Sequence, residues 1–127
     1  MDGAARRARA QGAKADQLQA ALAELDPQLA VWADSFVFGD VWGRPGLEFE
    51  QRMLVAITAL AVGGHTPQLK NYLHGALEDG IPARAIHEAL LMLAVYCGMP
   101  VALQAMVCWN EVVASARRRG LDVDLAP

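Results

Sequence analysis

The sequence predicts an all-α domain of about six helices, on three observations. Proline follows a capping residue at Asp26-Pro27 and at Thr66-Pro67, and glycines close the apolar runs that those pairs open, so helix starts and stops are written into the chain. No segment sustains the alternation of apolar and polar residues between turn signals that marks a strand. Of the 127 residues, 54% are hydrophobic but only 6% aromatic, so the excess is Ala, Leu and Val, side chains that suit closely packed helices.

Taken in order, residues 1–14 hold Ala, Arg and Gly with little apolar periodicity and read as a flexible N-terminal arm, leaving residues 15–127 as one domain. A first helix is predicted over residues 16–25, where Leu18, Leu22 and Leu25 share a stripe. Asp26 then caps, and Pro27 opens, a second helix that passes Trp32 and Phe36 and stops near Gly39. A turn from Asp40 to Gly46 follows. Residues 47–62 read as the third helix, ended by Gly63-Gly64, which can take the left-handed geometry of a helix terminus. Thr66-Pro67 repeats the capping pattern for a fourth helix, which runs to about Glu78 before Asp79-Gly80. Pro82 opens a fifth that reaches Gly98, and Pro100 opens a sixth that ends at Arg117-Arg118-Arg119 and Gly120. Arginines in a last turn complement the negative end of the helix dipole.

Composition excludes several classes of function. A net charge of -3, with basic clusters only at Arg6, Arg7, Arg9 and at Arg117 to Arg119, gives no electrostatic footprint for nucleic acid. The start lacks the apolar run of a signal peptide, so a cytoplasmic protein is expected. Residues 90–109 have Gln104 as their one strongly polar side chain, but Gly98 and Pro100 cut the stretch into pieces too short to span a membrane. Helices apolar on all sides call instead for complete burial, and in so short a chain that points to an oligomer core.

Cys97 and Cys108 show no CxxC or metal-ligand spacing and read as reduced core thiols. His65, His74 and His87 are nine and thirteen residues apart, with no HxxxH or HxH pattern, so no metal site is expected. His87 reads as a surface or helix-packing residue. There is also no phosphate-cradling GxxxxGK[ST], no GxGxxG and no GxSxG.

Four stretches carry more than fold. They are Phe36 to Leu47 with its Trp42-x-Arg44-Pro45-Gly46 turn, Arg52 to Leu60, His74 to Gly80, and Leu93 to Leu103. Together, over residues 31–113, the chain resembles the carboxymuconolactone decarboxylase family of the alkylhydroperoxidase D-like superfamily. The resemblance implies a central helical hairpin around Gly63 to Pro67, a homo-oligomer of trimer or hexamer type, and a small acidic lactone or similar carbonyl compound as substrate, with no cofactor.

Redox relatives in that superfamily carry a CxxC pair, a downstream His and an upstream Glu. Here those positions fall on His65 and Gln68, on Tyr72 and near Met53, so the thiolate that a peroxidase or thiol reductase needs is missing. His65, Gln68 and Tyr72, three and four residues apart, share one stripe at a helix start, where free N–H groups favour a carboxylate and the imidazole or phenol can move a proton. Alternatively His65 solvates its loop and Tyr72 fills core space.

Decarboxylation of a lactone leaves electrons delocalised as a dienolate, which needs a cation or donor for the oxyanion and an acid for the carbon. Arg44 fits the clamp, or else pins its turn by a salt bridge to Glu48 or Asp40. Trp42 either walls the pocket or staples its own helices. His74, two residues beyond Tyr72, and Tyr96 complete the expected binding residues. In the decarboxylases a His followed two residues later by Arg stands where this chain has Tyr72 and His74, so a related isomerase, cyclase or lactone hydrolase, or a non-catalytic ligand-binding oligomer, stays open beside the decarboxylase.

Overall fold

The computed structural model describes residues 2–126. Its helices are α1 (Gly3–Gln11), α2 (Ala15–Leu25), α3 (Pro27–Trp32), α4 (Phe49–Val62), α5 (Thr66–Glu78), α6 (Ala83–Leu91), α7 (Leu93–Tyr96) and α8 (Met99–Arg118). A 3-10 turn (Gly12–Lys14) joins α1 to α2, and a π-helical run (Ala33–Val41) extends α3. No strand occurs among the described residues, and none of their helices is long and apolar enough to cross a membrane. Each of the six predicted helices is present, two of them divided.

Capping explains most boundaries. Asp26 Oδ1 accepts from the Gln28 N–H at 2.8 Å ahead of Pro27, as its sequence position requires. Glu48 and Gln51 form a reciprocal capping box at the start of α4, so that helix opens slightly later than its apolar pattern suggested. At the other end Gly64 sits at φ +72°, and the His65 N–H bonds the Leu60 carbonyl at 3.0 Å, closing α4 and reversing the chain into α5. Thr66 does not cap. His65 occupies that position without a side-chain bond, and the Thr66 N–H turns back to the Gly64 carbonyl at 3.0 Å.

Buried stripes assemble the core. Met53, Ile57 and Ala61 of α4 face Leu69, Leu73 and Ala76 of α5, while Trp109 and Val112 of α8 and Ile86 and Leu90 of α6 complete it. Ion pairs Lys70–Glu111 (2.7 Å) and Arg119–Glu78 (3.2 Å) show that α5 and α8 run parallel. Trp109 is fully buried, and its indole N–H donates to His87 Nδ1 at 3.0 Å, so His87 is a helix-packing residue. Cys108 is buried and burial pushes its thiol up, whereas Cys97 is only half-buried.

Three differences from the sequence prediction have physical causes. Residues 3–11, expected to be part of a mobile arm, form α1, because Asp2 caps it and Ala10 is buried against α5. The helix opened by Pro82 breaks at Met92, separating α6 from α7. Complete burial of residues 90–109 does not occur within one chain: Met92, Met99, Leu103 and Val107 are exposed, and Val95 and Tyr96 are each 78% exposed.

Helix α1 reaches α5 at a glycine. A Cβ on Gly75 would overlap the Ala10 carbonyl, so only glycine admits the approach. At an unconstrained helix position Gly→Ala stabilises by roughly 1 kcal/mol. Here Gly75→Ala should instead lower the unfolding free energy by about 1–3 kcal/mol in a urea titration, because the overlap outweighs the propensity gain. A stabilised variant would mean that α1 does not sit on α5.

Candidate active site

The turn after the π-helical run supplies the site. The π register places the Trp42 N–H on the Val37 carbonyl at 2.9 Å and swings its indole inward. The ring packs against Phe38 (centroids 5.1 Å apart) and Phe49 (5.8 Å), so Trp42 both staples its helices and walls a space. One cavity of about 230 Å³ is lined by Val41, Trp42, Leu47, Arg52, Val55 and Ala56. A second of about 110 Å³ is lined by Arg6, Arg9, Trp42, Leu47, Phe49 and Arg52. Trp42, Leu47 and Arg52 are common to both.

Arginine dominates the charge here. Arg52 donates to the Arg44 carbonyl at 2.5 Å, which ties α4 to the turn. Arg44 itself is exposed and makes no salt bridge to Glu48 or Asp40, so the turn is pinned through its backbone rather than its charge. Among the described residues neither Arg6, Arg44 nor Arg52 has a carboxylate within ion-pair distance, whereas Arg9 pairs with Asp79 at 2.8 Å and lies 3.8 Å over the Phe49 ring. Cations beside an aromatic wall, without acid partners, are suited to a carboxylate or a developing oxyanion. Arg6 and Arg52 were not among the residues the sequence singled out. Arg52 stood inside a recognised stretch, while Arg6 was marked only as one of a cluster of basic residues.

The other expected residues lie elsewhere. His65 and Gln68 are exposed at the start of α5, and the His65 ring folds back over Gly63. Ten residues of α4 and the reversing turn at Gly63-Gly64 separate Arg52 from His65, and that stretch of helix rises about 15 Å. Tyr72 is half-buried with its phenol beside Gln11; burial pushes its pKa above the ordinary tyrosine value, and the Gln11 side chain partly opposes this. That makes it a poor proton carrier at neutral pH. Tyr96 ends α7, exposed.

His74 faces α8. Its Nδ1 is 2.9 Å from Arg119, whose other nitrogen bonds Glu78 at 3.2 Å, and it lines a groove with Lys70, Glu111, Ser115 and Arg118. Burial, and then the charges of Arg119, Lys14 and Lys70, hold its imidazolium below the ordinary histidine range against the pull of Glu78. The chain thus does not bring His65, Tyr72, His74 and Arg44 into one pocket. No three His, Cys, Asp or Glu side chains converge as a metal site among the described residues.

Comparison with known proteins adds to this geometry. Residues 27–111 match the carboxymuconolactone decarboxylase family. The chain is 33% identical over 78 residues to a nitrosuccinic acid decarboxylase of Metarhizium robertsii, covering 61% of this chain and 54% of that protein. It is 34% identical over 77 residues to a 4-carboxymuconolactone decarboxylase of Acinetobacter baylyi, covering 61% of this chain and 58% of that one. The matched part thus spans little more than half the length of these curated relatives.

A pH dependence follows from His74. Its folded pKa lies below the unfolded value of 6.5, so the unfolded chain binds the proton more readily. The stability this group confers is intact above pH 6.5 and declines as pH falls through 6.5 toward the folded pKa. Chemical denaturation between pH 8 and pH 5 should show a decline in wild type that is smaller in His74→Asn. Identical curves would place His74 outside the cationic cluster.

Proposed function

The chain belongs to the carboxymuconolactone decarboxylase family, and from that premise we propose that it is a cofactor-independent decarboxylase of a small acid whose carboxylate stands next to an electron sink. The observation that carries the proposal is the pair of Trp42-walled cavities bordered by Arg52 and Arg6, which have no acid partner among the described residues. Breaking the C–CO2 bond leaves an electron pair that must delocalise onto oxygen, and then a carbon that must be protonated. Arg52 meets the first need by facing the developing oxyanion, and the exposed Arg44 on the adjoining turn is assigned to draw in the carboxylate before it leaves. Val41, Leu47, Val55 and Ala56 supply an apolar wall that disfavours the charged carboxylate relative to carbon dioxide.

Both relatives' names join an acidic substrate to loss of a carboxyl group, one with a lactone and one with a nitro group as the sink. A site that serves either sink needs cations more than a shape-matched ring pocket. That is what the arginines supply.

Among the described residues no histidine or carboxylic acid lines either cavity. In this proposal the protein is a homo-oligomer, and the proton comes from His65 of the partner subunit, since about 15 Å of helix α4 stands between Arg52 and the turn that holds His65 in one chain. Support comes from the exposed position of His65 and from the apolar side chains Val55, Val95, Tyr96, Met99 and Leu103 that one chain leaves uncovered. Tyr72 then packs behind the α5 surface rather than carrying the proton.

The first test is turnover of 4-carboxymuconolactone, followed by carbon dioxide release. Arg52→Ala should lower kcat/KM by about 100-fold or more, and Arg52→Lys by less, with both variants folded. A folded wild type that turns over neither this lactone nor nitrosuccinic acid would remove the decarboxylase proposal in favour of an isomerase, hydrolase or ligand-binding role. A second test co-refolds Arg52→Ala with His65→Ala. Each alone should be nearly inactive, and the mixture should regain a substantial fraction of turnover through sites that draw an intact residue from each copy. No recovery, or a monomer in sedimentation, would sink the shared site.

A further inference from the structure

We infer that helix α1 is the specificity element of this site and that Arg6 selects substrates bearing a second carboxylate, the one that is retained. This rests on reading the Trp42 cavities as the substrate site. Helix α1, Gly3–Gln11, precedes residues 27–111, the part that matches the family. Its three arginines are used differently. Arg7 is buried and pairs with Asp34 at 2.6 Å, and Arg9 makes two bonds to Asp79, at 2.8 and 3.2 Å. Those two hold the helix down.

Arg6 has no carboxylate partner among the described residues. Its Nη1 donates to the Phe38 carbonyl at 3.1 Å, and the guanidinium lies against Gly43, where a Cβ would come within 3.0 Å of it. The side chain is therefore fixed, half-buried, and directed into the smaller cavity, whose lining it shares with Arg52. Arg9 shares that lining but is neutralised by Asp79, and the other two guanidiniums in this small, partly aromatic space repel each other unless an anion lies between or beside them. A dianion relieves this better than a monoanion, because the charge on α4 and the charge on α1 each receive a carboxylate. Arg52 serves the reacting end in the proposed reaction, which leaves Arg6 for the carboxylate that stays.

The test uses non-reacting acids, so that it does not depend on turnover. Succinate and propionate are titrated into the full chain while the indole N–H resonances are followed by NMR. Wild type should bind succinate about tenfold or more tightly than propionate, the scale of one charged hydrogen bond. Arg6→Gln keeps a donor for the Phe38 carbonyl but removes the charge. It should abolish most of that preference while changing propionate binding less than about twofold, and Arg52→Gln should weaken both acids. Should Arg6→Gln lose the fold, Arg6→Lys, which keeps charge without the planar fork, should weaken succinate alone by severalfold.

If wild type binds both acids and Arg6 variants weaken them equally or not at all, α1 has no role in selection and this inference falls while the cavity reading stands. If wild type binds neither acid, the cavity reading falls and takes this inference with it.

Discussion

Everything near the candidate site depends on how closely helix α1 can lie against the rest of the chain. Two glycines permit it: a Cβ on Gly3 would overlap the Asp34 carbonyl, and one on Gly75 would overlap that of Ala10. With those contacts made, Arg7 is carried into the interior, where Asp34 and the Ala15 carbonyl satisfy it at 2.6 and 2.9 Å. A buried guanidinium contributes little net stability even when paired, but it is costly to leave unpaired, so it fixes the register of α1 rather than its strength of attachment. That register delivers Arg6 and Arg9 to the Trp42 turn.

From there the logic is one of charge left over. Of the arginines that gather around Trp42, Arg9 is neutralised by Asp79 and also stacks on Phe49, while Arg6 and Arg52 are held through backbone carbonyls and, like Arg44, have no carboxylate partner among the described residues. Backbone carbonyls orient a guanidinium without cancelling its charge. A site that must receive an acid and stabilise an anion formed from it needs that combination of fixed position and uncompensated charge. The π-helical run contributes by turning Trp42 inward to form the wall against which the charge is confined.

Much of this was legible beforehand, for local reasons. Asp26-Pro27, Gly63-Gly64 and Asp79-Gly80 act within one turn of chain, so their effect does not depend on distant neighbours, and each ends or begins a helix where it stands. Thr66 failed as a cap because the tight reversal at Gly64 moved His65 into the position its hydroxyl would have filled. Arg6 was illegible, since its value arises from a helix that lacks an apolar stripe and is held by glycine contacts and ion pairs with residues some thirty to seventy positions away. The stripe of His65, Gln68 and Tyr72 was real as spacing but not as a pocket. Tyr72 points its phenol toward Gln11, and α4 spans the gap between His65 and the arginines.

The sequence by itself determined the all-α class, the six principal helices, the family, and the absence of a redox cysteine pair, because caps, stops and motif residues act locally or are read one by one. Only the tertiary structure decided which arginines keep their charge unpaired and which histidines are far from them. Pairing is a matter of a few ångströms between segments that the chain order keeps apart, and no periodicity records it.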